Sequence, residues 1–187
     1  MEINSDSILV IKNFIDISDY IEVPPKEKTH LKYFKNGSFE NILNNETITT
    51  NNCSSRYNYP KYKQLYFDSK KILESILKEK LYPTYYYDRF YYNNSELKPH
   101  IDRPSCEISI SLNLSSNLDY DWPLFFNLNN EIHGVITNPG DAVIYEGMKM
   151  SHWRHKLIGN EKSFYHQIFL HFVRADGNFL EYAYDKI

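Results

Sequence analysis

Between residues 83 and 173 the chain breaks into many short runs of strand-forming residues, separated by Asn, Gly and Pro, and this succession constrains its fold more than any other feature. The clearest run is 107–114, where Ile108, Ile110, Leu112 and Leu114 alternate with Ser109, Ser111 and Asn113. A period of two puts the two sets on opposite faces of a strand. Residues 83–92, 122–128, 134–137, 141–145, 151–157 and 164–173 read as further strands, and residues 139–141 (Pro-Gly-Asp) as a turn. So many short strands in sequence predict a barrel or sandwich, mainly β within an α+β chain. Upstream, Leu65, Ile72, Leu73, Ile76 and Leu77 recur at three- and four-residue spacing and mark residues 61–80 as an amphipathic supporting helix. Residues 7–15 are expected to open the fold as a strand, with a short helical turn over 16–21. The polar, Asn-rich stretch 24–60 is expected to be a loop or lid.

The 187 residues suit one domain: an N-terminal part (1–82), a β core (83–175) and a tail (176–187). A net charge of −3 without a basic stripe argues against a general nucleic-acid binder, which needs cations to displace counterions. Only Cys53 and Cys106 are present, without the C-x-x-C spacing of a zinc knuckle, so reduced thiols and a cytoplasmic location are expected. No run of eighteen apolar residues suggests a membrane span. The abundance of Tyr and Phe beside Asn, Lys and Ile matches an AT-rich codon bias, which by itself implies no site.

The residues that carry chemistry are His100 and Asp102, with His152 fifty positions beyond the aspartate. On a strand, i and i+2 project to one face, so His100 and Asp102 point toward a common centre. Pro99 and Pro104 bracket the pair and disfavour a helix there. Two imidazoles and one carboxylate make up the facial triad that holds Fe(II) while leaving coordination positions open. An isolated H-x-D is weak evidence; its setting among β segments strengthens it. For the third ligand, His152 competes with His133, His155, His166 and His171, and is favoured because it follows the turn and the strand at 141–145. Arg154 shares the face of His152, whereas His155 points away. His166 and His171 lie five apart, on opposite faces of the last strand.

The stretches LKPHIDRPSCEISISLNL, WPLFF, PGDAVIYEGMKMSHWRH and QIFLHFV, in that order between Tyr91 and Val173, resemble the Fe(II)/2-oxoglutarate-dependent oxygenase superfamily, in particular its prolyl 4-hydroxylase-like branch. The resemblance implies a double-stranded β-helix, a jelly-roll, cupin-like barrel with supporting N-terminal helices. It implies His100, Asp102 and His152 as catalytic iron ligands, and Fe(II), 2-oxoglutarate and O2 as cofactors, with ascorbate as reductant. It also implies a cation about ten residues after the distal histidine to hold the far carboxylate of 2-oxoglutarate, which Lys162 matches, with Arg154 as the rival. Tyr91 corresponds to a tyrosine that binds the same carboxylate, and Tyr145 and Trp153 are candidates for the pocket wall or core. Leu97 stands where prolyl hydroxylases often carry tyrosine, and Asn93-Asn94-Ser95 replaces a glycine-rich turn. The implied reaction is hydroxylation of an unactivated C–H, of a prolyl residue in a peptide or protein. The alternatives are a free amino acid or other small metabolite, then nucleic-acid demethylation, and outside enzymology a non-catalytic metal-binding β-barrel module.

Overall fold

The computed structural model describes residues 8–42 and 50–184. Along the chain, β1 (Leu9–Ile11), β2 (His30–Tyr33), β3 (Phe39–Asn41) and β4 (Cys53–Tyr57) precede the helix α1 (Lys63–Leu77). After it come β5 (Leu81–Tyr92), β6 (Leu97–His100), β7 (Ile108–Ser116), β8 (Leu124–Leu128), β9 (Glu131–Val135), β10 (Ala142–Tyr145), β11 (His152–Arg154) and β12 (Phe164–Arg174). Two sheets result, an eight-stranded one in the order β1-β10-β7-β12-β5-β4-β2-β3 and a four-stranded one in the order β6-β11-β8-β9. Every pairing is antiparallel except β2 with β4. This is the mainly β, double-stranded β-helix architecture expected from the sequence.

The alternation in β7 sorts the interior into two compartments. Ile108, Ile110, Leu112 and Leu114 pack with Ile168, Leu170 and Phe172 of β12 against Leu65, Tyr66, Leu73 and Leu77 of α1. That helix ends at Lys78, which takes a left-handed backbone (φ 60°) while its N–H donates the last helical bond, to the carbonyl of Glu74 at 2.9 Å. On the other face of the large sheet, Tyr91, Val143, Tyr145, Tyr165 and Phe169 meet Leu97, Leu124 and Phe126 of the small sheet. Ser109, Ser111 and Asn113 are buried as well, so both faces of β7 are interior and only one is apolar.

Asparagine does much of the turn work in this glycine-poor chain. Asn129 and Asn130 both take positive φ (52° and 67°) in the two-residue link from β8 to β9, the requirement of a type I′ hairpin. Asn94 (φ 67°) does the same between β5 and β6, where the sequence departs from a glycine-rich turn.

Several expectations need correction. The N-terminal strand is only Leu9–Ile11 within the expected 7–15, and residue 7 lies outside the described residues. The stretch 24–60 contains β2, β3 and β4, which extend the large sheet; residues 43–49 within it lie outside the described residues. Its strands escaped notice because β3 is exposed throughout, while β4 buries Cys53, Ser54 and Ser55, small residues that give no apolar alternation. A single α-helix, not several, supports the sheets among the described residues, beside a 3-10 turn at Ser18–Tyr20. In the tail, the Tyr184 N–H donates to the carbonyl of Pro83 at 2.7 Å, and residues 185–187 lie outside the described residues. No helix among the described residues is long and apolar enough to cross a membrane.

Candidate metal centre

Strands β6 and β11 are antiparallel neighbours in the small sheet, and their register sets His100 directly opposite His152, with ring centroids 4.3 Å apart. Asp102 departs from the i, i+2 strand geometry. β6 ends at His100, and Asp102 lies two residues past it, held by its N–H donating to the Gly147 carbonyl at 2.9 Å. The carboxylate still arrives: Oδ1 lies 3.6 Å from His100 Nε2 and 3.7 Å from His152 Nε2. The three residues can each offer a ligand atom within 4.8 Å of the others.

The two histidines are oriented in the same way. Nδ1 of His100 is 2.8 Å from the carbonyl of Lys98, and Nδ1 of His152 is 2.9 Å from that of Met150, in each case the residue two positions earlier. A carbonyl only accepts, so each Nδ1 carries the proton and each Nε2 keeps its lone pair toward Asp102. Burial lowers the pKa of both, that of His152 to about 4, and in His100 the neighbouring His152 adds to the effect. Burial raises Asp102 to about 6, against the pull of His100. Near pH 7 the cluster thus presents two neutral imidazoles and a carboxylate, the protonation states that metal binding requires.

Gly147 belongs to this geometry. A Cβ there would lie 2.1 Å from Asp102 Oδ2 and 2.9 Å from its Cγ, so any side chain would displace the carboxylate itself. Access is one-sided, since His152 exposes 3% of its side chain, against 22% for His100 and 15% for Asp102.

The cationic candidates separate sharply. Lys162 does not join the cluster: it is exposed in the turn before β12, on a surface hollow with Lys26, Lys28 and Tyr92. Its ten-residue spacing from His152 is spent on that turn, before the strand returns to the interior. Arg154 is 1% exposed, between the rings of Trp122 and Tyr165, each centroid 4.6 Å from its Cζ. Its guanidinium donates to the carbonyl of Trp122 and to Gln167 Oε1 at 3.0 Å, while Nε has no partner. Among the described residues no carboxylate forms an ion pair with it. Arg56, by contrast, pairs with Glu22 and Asp88, and Arg174 with Glu79, Glu107 and Glu146. Leaving a guanidinium buried without an anion costs several kcal/mol.

Tyr91 is fully buried beside this arginine, its ring edge-on to Trp122 at 5.1 Å. Burial raises its pKa, while Arg89 and Arg154 offset part of the rise. Tyr145 packs edge-on against both His152 and Phe126 at 5.0 Å. Trp153 lies on the opposite side of β11, stacked on Phe125. His133 and His155 are exposed. His166 is buried on the helix side of the large sheet, 2.8 Å from Asp88 and stacked on Phe90 at 3.6 Å. His171 is buried near the cluster, 2.9 Å from the Ser109 hydroxyl.

Sequence reasoning missed Arg89, Gln167, Ser109, Cys106 and Gly147. Arg89 was findable, because it lies two residues from Tyr91 on β5 and so shares its inward face; its register partner on β12 is Gln167.

No protein-family model matches the sequence, and no curated protein matches it significantly. Solved structures do share the fold. HygX from Streptomyces hygroscopicus, with nickel, 2-oxoglutarate and hygromycin B bound, superposes with a TM-score of 0.63 at 10% identity, over 92% of this chain and 84% of that one. The viral collagen prolyl hydroxylase vCPH from Paramecium Bursaria Chlorella virus-1 gives 0.57 at 9% identity, over 90% and 96%. An oxidoreductase of the 2OG-Fe(II) oxygenase family from Burkholderia pseudomallei gives 0.56 at 9%, over 68% and 71%. At such identities the likeness is one of fold, and the fold is that of the 2OG-Fe(II) oxygenases.

Proposed function

We propose that this chain is an Fe(II)- and 2-oxoglutarate-dependent dioxygenase that hydroxylates an unactivated C–H bond, with a prolyl residue of a peptide or protein as substrate. The observation that carries the reading is the convergence of His100, Asp102 and His152 within one fold compartment, both imidazoles held with Nε2 free. Two nitrogens and one oxygen on a single side suit Fe(II) with its remaining positions open. When bound there, Fe(II) with 2-oxoglutarate and O2 supplies oxidative decarboxylation of the keto acid to succinate and carbon dioxide, coupled to hydroxylation.

The chain's own residues position and shield. The backbone carbonyls of Lys98 and Met150 fix the ring orientations, and Gly147 keeps Asp102 in place. Arg154, rather than Lys162, anchors the far carboxylate of 2-oxoglutarate in this reading, assisted by Tyr91; its burial without a carboxylate partner supports the choice. A charge-assisted, two-point grip relieves the uncompensated guanidinium and fixes the keto acid's direction. Leu124, Phe126, Tyr145 and Phe169 form an apolar wall that keeps bulk water from the centre.

A free small molecule is the second reading. It is favoured by the better superposition on HygX, whose structure holds hygromycin B, than on the prolyl hydroxylase. The test is succinate formation from 2-oxoglutarate under air with Fe(II) and ascorbate, with and without proline-containing peptides. Turnover stimulated by a peptide and lost in His152→Ala is the expected result. Turnover without peptide stimulation would move the substrate to the small-molecule class, and no turnover by iron-loaded protein would sink the dioxygenase reading.

A further inference from the structure

Asp102 turns its two oxygens toward two different groups. Oδ1 faces the Nε2 atoms of His100 and His152, whereas Oδ2 lies 3.4 Å from the hydroxyl of Ser109, which in turn lies 2.9 Å from Nδ1 of His171. Cys106 is buried on that second side, 3.2 Å from the hydroxyl of Tyr85. Asp102, Cys106 and His171 can each offer a ligand atom within 4.8 Å of the other two. The His171 ring is 2% exposed, and its Nε2 has no hydrogen-bond partner. A buried polar atom left unpaired normally costs free energy, and a buried imidazole beside a thiol and a carboxylate is a costly way to fill space. The dioxygenase reading uses neither Cys106 nor His171.

We infer that Asp102, Cys106 and His171 form a second divalent-metal site, suited to Zn(II), that shares Asp102 with the His100–His152 centre. Thiolate, imidazole and carboxylate together form a zinc donor set, with a fourth tetrahedral position left for water, whereas the triad's harder donors suit Fe(II). Binding replaces the Cys106 thiol proton by the metal–sulfur bond, and the proton leaves to solvent. Because Oδ1 faces the first set and Oδ2 the second, Asp102 can bridge the two, and zinc on Oδ2 draws charge from the carboxylate that Oδ1 offers to iron. Zinc then lowers iron occupancy through Cys106 and not only by competing for the two histidines. The site stands independently of whether the triad proves to hold iron, since it needs only Asp102 from that cluster.

Co(II) serves as the spectroscopic stand-in for zinc, added to the reduced, metal-free full-length chain. Wild type should bind it with a thiolate-to-cobalt charge-transfer absorption in the near ultraviolet, which added Zn(II) bleaches. The absorption should persist in Cys53→Ser and His152→Ala, vanish in Cys106→Ser, and need at least about tenfold more cobalt in His171→Gln. Cobalt bound by wild type without that absorption would overturn the second site while leaving the iron centre standing. An absorption that survives in Cys106→Ser would overturn it too. The band in wild type together with failure of the triad to retain Fe(II) would support the second site and refute the dioxygenase reading. Should Cys106→Ser fail to fold, persistence of the band in Cys53→Ser assigns it to Cys106, the other cysteine of the sequence, and its loss there would overturn the site.

Discussion

The two faces of β7 are both buried, yet they are built for different ends. Toward α1 the strand presents Ile108, Ile110, Leu112 and Leu114, all fully buried in an apolar cluster. Toward the small sheet it presents Ser109, Ser111 and Asn113, and its neighbours there add Arg89, Gln167 and His171. On the helix side the buried aliphatics of this cluster contribute transfer free energy, ~1.5–3 kcal/mol for each one fully buried. On the sheet side, Ser111 Oγ, Asn113 Oδ1 and Arg154 Nε have no hydrogen-bond partner. One compartment thus carries the stability that the other gives up in holding polar groups ready for ligands, a division common at functional sites.

Substitutions should therefore fall into two classes. The largest effect is expected on the site side, where His152→Ala should abolish Fe(II) retention and 2-oxoglutarate turnover, by more than the ~10–100-fold typical of residues one layer out. Its thermal midpoint without metal should fall less than that of a helix-side truncation, because the group removed from beside Tyr145 and Phe126 is a polar ring whose burial already costs desolvation. Ile110→Ala on the helix side should do the reverse and cost about 2–5 kcal/mol in denaturant unfolding, with metal affinity kept in the folded fraction. A site-side variant that unfolded the protein, or a helix-side variant that spared stability but removed metal, would break the division.

Arg154→Gln should raise the 2-oxoglutarate concentration needed for half-maximal turnover about 100-fold, in line with ~2–5 kcal/mol for losing one partner of a buried charged pair, while Lys162→Ala leaves it unchanged. Steady-state kinetics with varied 2-oxoglutarate separate the two. Asp102→Asn should remove metal binding and yet stabilise the metal-free fold by about 1–2 kcal/mol near pH 8. The carboxyl's pKa is raised to about 6, so the folded state there bears a buried, ionised group that the amide does not.

Acidification should lower stability through the site-side histidines. His152 and His171 are held to about 4 and about 3 in the fold, below the ~6.5 of an unfolded histidine. The unfolded chain binds more protons in that interval, so their contribution is complete above about pH 6.5 and drains away as pH falls toward 4 and then 3. Urea midpoints across that range measure the slope, and His171→Gln should flatten it.

Much of this was legible in the sequence where side-chain period and chemistry agreed. The alternation of β7, the helix over 63–77 and the His100, Asp102, His152 set follow from spacing and residue type. Asp102 reaches its place by a different path, beyond the end of β6, because Gly147 admits it there, and a close approach of that kind leaves no periodic signal. Within 24–60, β4 was hidden because pairing with β5 defines it and it buries small side chains, and β3 because it is exposed throughout. Counting residues placed Lys162 ten after His152 but could not say how many are spent on the turn where it is exposed. Arg154 shares the strand face of His152, and the difference from Arg56 and Arg174, each met by carboxylates, exists only in three dimensions.

The most direct measurement is an anaerobic titration of 2-oxoglutarate into Fe(II)-loaded protein, followed by visible absorption. A keto acid chelated to Fe(II) gives a charge-transfer band that neither component shows alone. Saturable growth of that band in wild type, its absence in His152→Ala and a large shift to higher 2-oxoglutarate in Arg154→Gln are the expected results. A wild-type protein that retains Fe(II) but never develops the band, or a band equally strong in His152→Ala, would contradict the assignment of this centre to 2-oxoglutarate chemistry.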